Sequence, residues 1–284
     1  ADRFRVLTHT YYGPRLRGGD LSRLIQFADR GTSPNPNEAG HRRDYSLDTL
    51  PQEYSTCGVG DFRLPSIEFE PADGSRLADL RYTGFELKKG KYALPGLPAF
   101  FGGDEWETLV IHLIDSTCKM SVKLYYGVLE RCDLITRAVQ VVNEGGQAVQ
   151  LRRCASLCLD FQRGDLDFIT FDGCHAQERG LNRAPLRQGV QSVESVRGTS
   201  SHHHNPFVIL CGHNADEDCG ICYGAMLVYS GNFLAAAERT HLENNRLMLG
   251  INPYHFCYTL APGECFTAPE AALVCSPCGF GQMS

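Results

Sequence analysis

The chain has 284 residues, long enough for a large core, and all-β sandwiches of this size often form a single unit. Its 27 Lys+Arg against 33 Asp+Glu give a formal net charge of −6, with no long basic run, so it lacks electrostatic footing on a phosphate backbone and no nucleic-acid partner is expected. No apolar run approaches the roughly 20 residues of a membrane span, and no membrane partner is expected either.

The N-terminal "ADRFRVLTHTYYG" lacks the order of charged, apolar and small residues found in a signal peptide, which predicts a cytoplasmic protein. "DLSRLIQFA" is a weak helical segment. Residues 29–63 are rich in Pro, Asn, Gly and Arg and too poor in alternation for sheet, so they predict a long arm available for binding. From "SIEFEPADGSRLADLRYTGFEL" onward, short runs of Val, Ile, Thr, Tyr and Phe recur between turn residues. Ala72-Asp73-Gly74 reads as a hairpin signal. "ETLVIHLIDSTCKMSVKLYYGVL" and "LITRAVQVVNEGGQAVQLRRCASL" alternate apolar and polar residues, with a turn at Asn143 to Gly146; these predict antiparallel strands with one wet face. Residues 172–206 read as a second polar, Arg-rich interruption of the sheet pattern. The absence of a sustained 3.6-residue period elsewhere predicts an all-β fold of two large packed antiparallel sheets with few short helices.

Thirteen cysteines are an odd number in a long chain, and several lie in strand-like text where a free thiol packs as a small hydrophobe. Cys219/Cys222 and Cys275/Cys278 have the inner spacing of a zinc site or a redox dithiol, but the pairs are too far apart for a zinc ribbon and no βαβ pattern surrounds them. His202, His203 and His204 are consecutive; on a strand His202 and His204 share a face and suit a metal, whereas in a turn before Asn205-Pro206 they stabilise a corner by hydrogen bonding. Paired carboxylates for glycoside hydrolysis are sought in Asp160, Asp165 and Asp167 and in Asp216, Glu217 and Asp218, and both clusters read as solvated turns. No G-x-S-x-G, P-loop or G-x-G-x-x-G pattern is present. The residues alone thus describe a large β-sandwich with two polar arms and no catalytic set.

The segments "SPNPN", "YSLDTLPQEYSTCGVGDFR", "LADLRYTGFEL", "KYALPGLPAFFG", "RGTSSHHHNPF", "YGAMLVYSGNFLAAAE" and "LGINPYHFCYTLAPGECFTAPEAALV" occur in order and together closely resemble the N-terminal domain of glycoside hydrolase family 36 α-galactosidases, of the melibiase or raffinose-hydrolysing type. The resemblance covers essentially the whole chain. It implies a β-supersandwich of galactose-mutarotase-like type over residues 1–284, with a long arm at about 20–63, and a catalytic (β/α)8 barrel expected after Ser284. It implies a retaining enzyme whose two catalytic aspartates lie on that barrel, so this chain is expected to hold no catalytic residue, metal or cofactor and to be inactive alone. Expected partners are α-galactosides of the melibiose and raffinose type, the chain's own barrel, and a neighbouring subunit of a homotetramer whose sugar pocket the arm completes.

By the same resemblance, the arm's galactose contacts fall on Asp29 and on Arg43, with Arg42 as the alternative because "NEAGHRRDY" is longer than the family's usual stretch. His175 stands where family members commonly carry a Trp that walls the sugar site, which implies weaker stacking there. His203 replaces a usual Gln, and the shared His202 with Asn205-Pro206 favours the corner reading of the triplet. Two other functions compete: a stand-alone carbohydrate-binding module, and an aldose-1-epimerase-like enzyme, for which His204 with Glu264 or Glu270 is the available pair.

Overall fold

The structure, a computed structural model, describes residues 1–29, 35–162 and 164–283. In chain order the strands are β1 (Ile67–Glu70), β2 (Arg81–Lys89), β3 (Glu107–Asp115), β4 (Met120–Leu129), β5 (Leu134–Asn143), β6 (Val149–Phe161), β7 (Leu166–Cys174) and β8 (Gln177–Pro185). They continue with β9 (Gly189–Glu194), β10 (His204–Gly212), β11 (Cys222–Val228), β12 (Phe233–Arg239), β13 (Asn245–Ile251), β14 (Tyr258–Leu260), β15 (Cys265–Thr267) and β16 (Glu270–Ser276). Among the described residues the helices are short 3-10 turns; the "DLSRLIQFA" segment contributes one, Leu21–Leu24, whose first turn Asp20 caps by accepting from Ser22 N–H at 2.9 Å. No helix of the described residues is long and apolar enough to cross a membrane.

Two antiparallel sheets pack face to face. The smaller runs β1-β6-β13-β12, with β14 also on β6; the larger runs β2-β3-β4-β5-β16-β11-β10-β7-β8, with β15 on β5. Alternation in β3 and β4 puts Leu113, Val122 and Leu124 inward against Ile67, Phe69 and Leu151 of the small sheet. A second core joins Leu157, Phe233 and Leu247 to Val208, Leu210, Ala225 and Leu273.

Three sequence expectations are corrected. The turn at residues 72–74 closes no hairpin, because β1 pairs with β6; like the turn at 143–146 after β5, it hands the chain from one sheet to the other. The 172–206 stretch carries β8, β9 and the start of β10. It escaped the alternation test because β8 is an edge strand whose two faces are mostly wet, held by its register with β7 from Asp167↔Pro185 to Cys174↔Gln177. Finally, β6 has no wet face from Cys154 to Asp160, because the arm's base covers its outer side.

Backbones approach closely at the bulge between Leu249 and Gly250, where β13 shifts register on β6. A Cβ on Gly250 would lie 2.7 Å from Ala155 Cα and 2.8 Å from Ser156 N. Gly250→Ala is therefore expected to cost about 1–3 kcal/mol by overpacking, measured by chemical denaturation; an unchanged midpoint would show that the bulge relaxes freely.

Candidate functional site

The arm is rooted on the outer face of β6 and β13 by four fully buried charges. Arg246 donates to Asp160 through Nε at 2.6 Å and Nη2 at 2.7 Å, and through Nη2 to Asp61 at 2.8 Å. Arg63 donates to Asp61 at 2.8 Å, lies 3.2 Å from Asp160, and caps the carbonyls of Leu47 and Leu50 at 2.7 and 2.8 Å. Two guanidiniums alternate with two carboxylates, so each buried charge faces opposite ones, as burial requires. Burial would push Asp160 up, but the charges of Arg246 and Arg63 outweigh it and hold the carboxyl below its ordinary value. The expectation that Asp160 is solvated is thereby corrected, and so is that for Asp167, which is buried against Arg183 at 2.6 Å; Asp165 and Asp216 to Asp218 are exposed.

A second buried cluster fastens the chain just before this root. Glu53 accepts from His9 Nδ1 at 2.7 Å, Arg137 Nη1 at 2.7 Å and the Tyr126 hydroxyl at 2.5 Å, while Arg137 Nη2 bonds the Glu53 carbonyl at 2.9 Å. Burial would raise the Glu53 carboxyl, but the charges of His9 and Arg137 and the hydrogen bonds from His9 and Tyr126 lower it to about 2. Burial disfavours the His9 cation, yet the charge and hydrogen bond of Glu53 raise its pKa above 6.5.

On these roots the arm forms a small core of its own, with Val6, Ala39, Tyr45, Leu47 and Leu50 buried together. Gln26 and Gln162 exchange a reciprocal pair of bonds at 2.8 and 2.7 Å, which ties the incoming limb to the end of β6. Asn35 Nδ2 donates to the Arg42 carbonyl at 2.6 Å and closes the outgoing limb. Residues 30–34, including the Ser-Pro of Ser-Pro-Asn-Pro, lie outside the described residues, as does Ser284.

The structure brings Asp29 and Arg43 together from opposite limbs: Arg43 Nε donates to Asp29 Oδ1 at 3.1 Å, with the side chains 66% and 61% exposed. Arg42 faces elsewhere. It forms a fork to Asp44 at 3.0 and 2.7 Å and lies 6.0 and 5.9 Å from the Phe27 and Tyr45 ring centres, so it packs the arm's own core. The exposed pair offers acceptor oxygens and a guanidinium fork side by side, a set suited to adjacent sugar hydroxyls. His175 is exposed in the tight turn joining β7 to β8, a different hairpin from the arm.

The epimerase pair does not hold. Glu270 is fully buried and its oxygens are taken by Lys91, by the Tyr92 hydroxyl at 2.7 Å and by Phe100 N–H at 2.7 Å, so it has no oxygen to present to a pyranose. Glu264 accepts from Tyr258 at 2.7 Å beside β15, whereas His204 opens β10 with Nδ1 2.6 Å from Asp172. His202 and His203 stack at 4.4 Å within the turn that precedes β10, and His203 O accepts from Gly173 N–H, which is a corner arrangement. Among the described residues no three His, Cys, Asp or Glu side chains are grouped to hold a metal. The two C-x-x-C segments do meet, because β11 pairs with β16 and Gly220 bridges to Cys278. Sequence separation had concealed that neighbourhood. Sequence reasoning also missed both buried charge clusters, since a single Asp, Glu or Arg in the sequence carries no sign of burial.

Comparison with known proteins matches residues 5–261 to the Glycosyl hydrolase family 36 N-terminal domain. Across its full length the chain is 44% identical to 30% of the bifunctional alpha-galactosidase/sucrose kinase AgaSK of Mediterraneibacter gnavus. Over 98% of its length it is 42% identical to 38% of alpha-galactosidase AgaA of Geobacillus stearothermophilus. The solved structure of the latter in complex with stachyose superposes on 99% of this chain and 39% of its own with a TM-score of 0.95 at 42% identity. The chain thus spans about a third of the length of these relatives.

Proposed function

The chain belongs to the glycosyl hydrolase family 36 N-terminal domains, and from that premise we propose that it serves a retaining α-galactosidase as a non-catalytic domain whose arm completes the galactose pocket and whose body supports subunit assembly. The exposed Asp29–Arg43 pair, held out on a rigid base, carries this reading. A carboxylate and a guanidinium that already touch exchange partners readily with sugar hydroxyls, at little desolvation cost because both are solvated. The parent's substrates are α-galactosides of the melibiose and raffinose type; solved AgaA complexes with stachyose and raffinose support that class. Hydrolysis proceeds by double displacement through a covalent galactosyl-enzyme, with both carboxylates supplied by the barrel outside this chain. The arm reaches a neighbouring subunit in a homotetramer, so assembly and pocket completion are one task. The parent works in the cytoplasm, a reducing compartment suited to thirteen cysteines, four of them buried as small apolar groups.

Between the two arginines, Arg43 is the sugar contact and Arg42 the packing residue. Asp29→Ala in the full-length protein is expected to lower kcat/KM on a nitrophenyl α-galactoside by one or two decades, about 1.4–2.7 kcal/mol of transition-state binding. Wild-type kinetics from this variant would sink the pocket-completing role and leave the pair as a clasp between the arm's limbs.

A further inference from the structure

We propose a second carbohydrate site on the outer face of the small sheet, built on Arg153, Glu68, Glu194 and the Tyr254-His255 turn. These residues line an open cleft of about 640 Å³. Arg153 lies on β6 seven residues before Asp160, so the cleft is roughly 20 Å along the strand from the arm's charged root at about 3.3 Å per residue.

Arg153 is the central observation. Its side chain is 16% exposed, yet Nε has no hydrogen-bond acceptor among the described residues, the nearest carboxylate, Glu68, stands 3.8 Å away, and Nη1 has only the Met248 sulfur at 3.9 Å. Burial lowers its pKa, so the cation gains from any acceptor that enters. A partly buried guanidinium with an unused donor calls for a ligand that accepts hydrogen bonds.

The rim shows which ligand. Arg76, Arg152 and Arg153 are balanced by Glu68, Glu70 and Glu194, with Glu70 already holding Arg152 at 3.0 Å and Arg76 at 2.9 Å. An anion would meet Glu68 and Glu194 as well as Arg153. A neutral polyol meets no such conflict, because its hydroxyls accept from Arg153 and donate to the glutamates. Tyr254, 61% exposed, adds an aromatic surface for the apolar face of a pyranose. The turn is firmly held: buried Asn252 donates to Glu194 at 2.8 Å and accepts from Tyr254 N–H at 2.9 Å, while His255 sits at φ +58°, a conformation that non-glycine residues keep only where their surroundings impose it.

The choice of raffinose as probe rests on the family reading; the chemistry of the cleft does not. Hydroxyl-radical footprinting of the full-length protein is expected to show Tyr254 and His255 reactive without sugar and protected by raffinose. Arg153→Met is expected to raise the raffinose concentration for half protection about tenfold or more, and Glu68→Gln to raise it in the same direction by removing a carboxylate acceptor for the sugar hydroxyls while keeping the side chain's shape. Three results would overturn the site: no protection up to the solubility limit of raffinose, protection by inorganic phosphate instead, or rings already shielded without sugar by another part of the protein. The kinetics of Asp29→Ala are read separately, so either proposal can fail alone.

Discussion

Arg246→Met is expected to lower the unfolding temperature by on the order of 10 °C, the equivalent of about 3–5 kcal/mol for breaking a buried pair. The substitution keeps most of the side-chain volume, so the loss is electrostatic. Asp160 and Asp61, both buried, would be left sharing Arg63, and the Leu64 carbonyl would lose the bond from Nη1 at 2.8 Å. Because Arg63 also caps Leu47 and Leu50, disorder should spread to the arm, and proteolysis within residues 35–50 should accelerate. Arg15→Met provides the contrast: its pair with Glu130 is 88% and 81% exposed, and its removal should leave the melt unchanged. Equal melts for Arg246→Met and wild type would mean that the apolar arm core alone holds the root.

The second large effect is a dependence of stability on pH that Glu53→Gln removes. The folded-state pKa of Glu53 is depressed from 4.5 to about 2, so its contribution is complete above pH 4.5 and is lost as pH falls through about 2. At about 1.4 kcal/mol per pH unit, that is about 3 kcal/mol. His9 has the opposite sign: with its folded pKa raised above 6.5, its contribution is complete below 6.5 and is lost as pH rises through the raised value. The cluster therefore contributes most between roughly pH 4.5 and 6.5. Glu53→Gln should cost about 3–5 kcal/mol within that window, because Arg137 is left buried without its carboxylate. Denaturation midpoints across pH 3–8 would check it; parallel profiles for variant and wild type would place the acid-sensitive charge elsewhere.

The sequence by itself determined the all-β class, because alternation in segments such as "ETLVIHL" and "LITRAVQVV" is a local property, and the ordered motifs carried the family. It also marked residues 29–63 as non-sheet, since a stretch without alternation has no sheet face to bury, and the described part of that stretch carries no strand. Asp29 and Arg43 were both named there, but as independent contacts.

What only the tertiary structure decided are the properties that depend on who lies opposite. Sheet membership across the turns at residues 72–74 and 143–146 was one, because a turn signal reads the same whether it joins paired strands or passes between layers. The strand at Gln177–Pro185 was another, since an edge that buries nothing leaves no apolar trace. Burial of Asp160 and Arg246, the pairing of Arg43 with Asp29, and the unsatisfied Nε of Arg153 all follow from contacts between residues far apart in the chain. A charge does not carry its dielectric with it; the segments folded over it set whether it is solvated, paired or left with donors to spare.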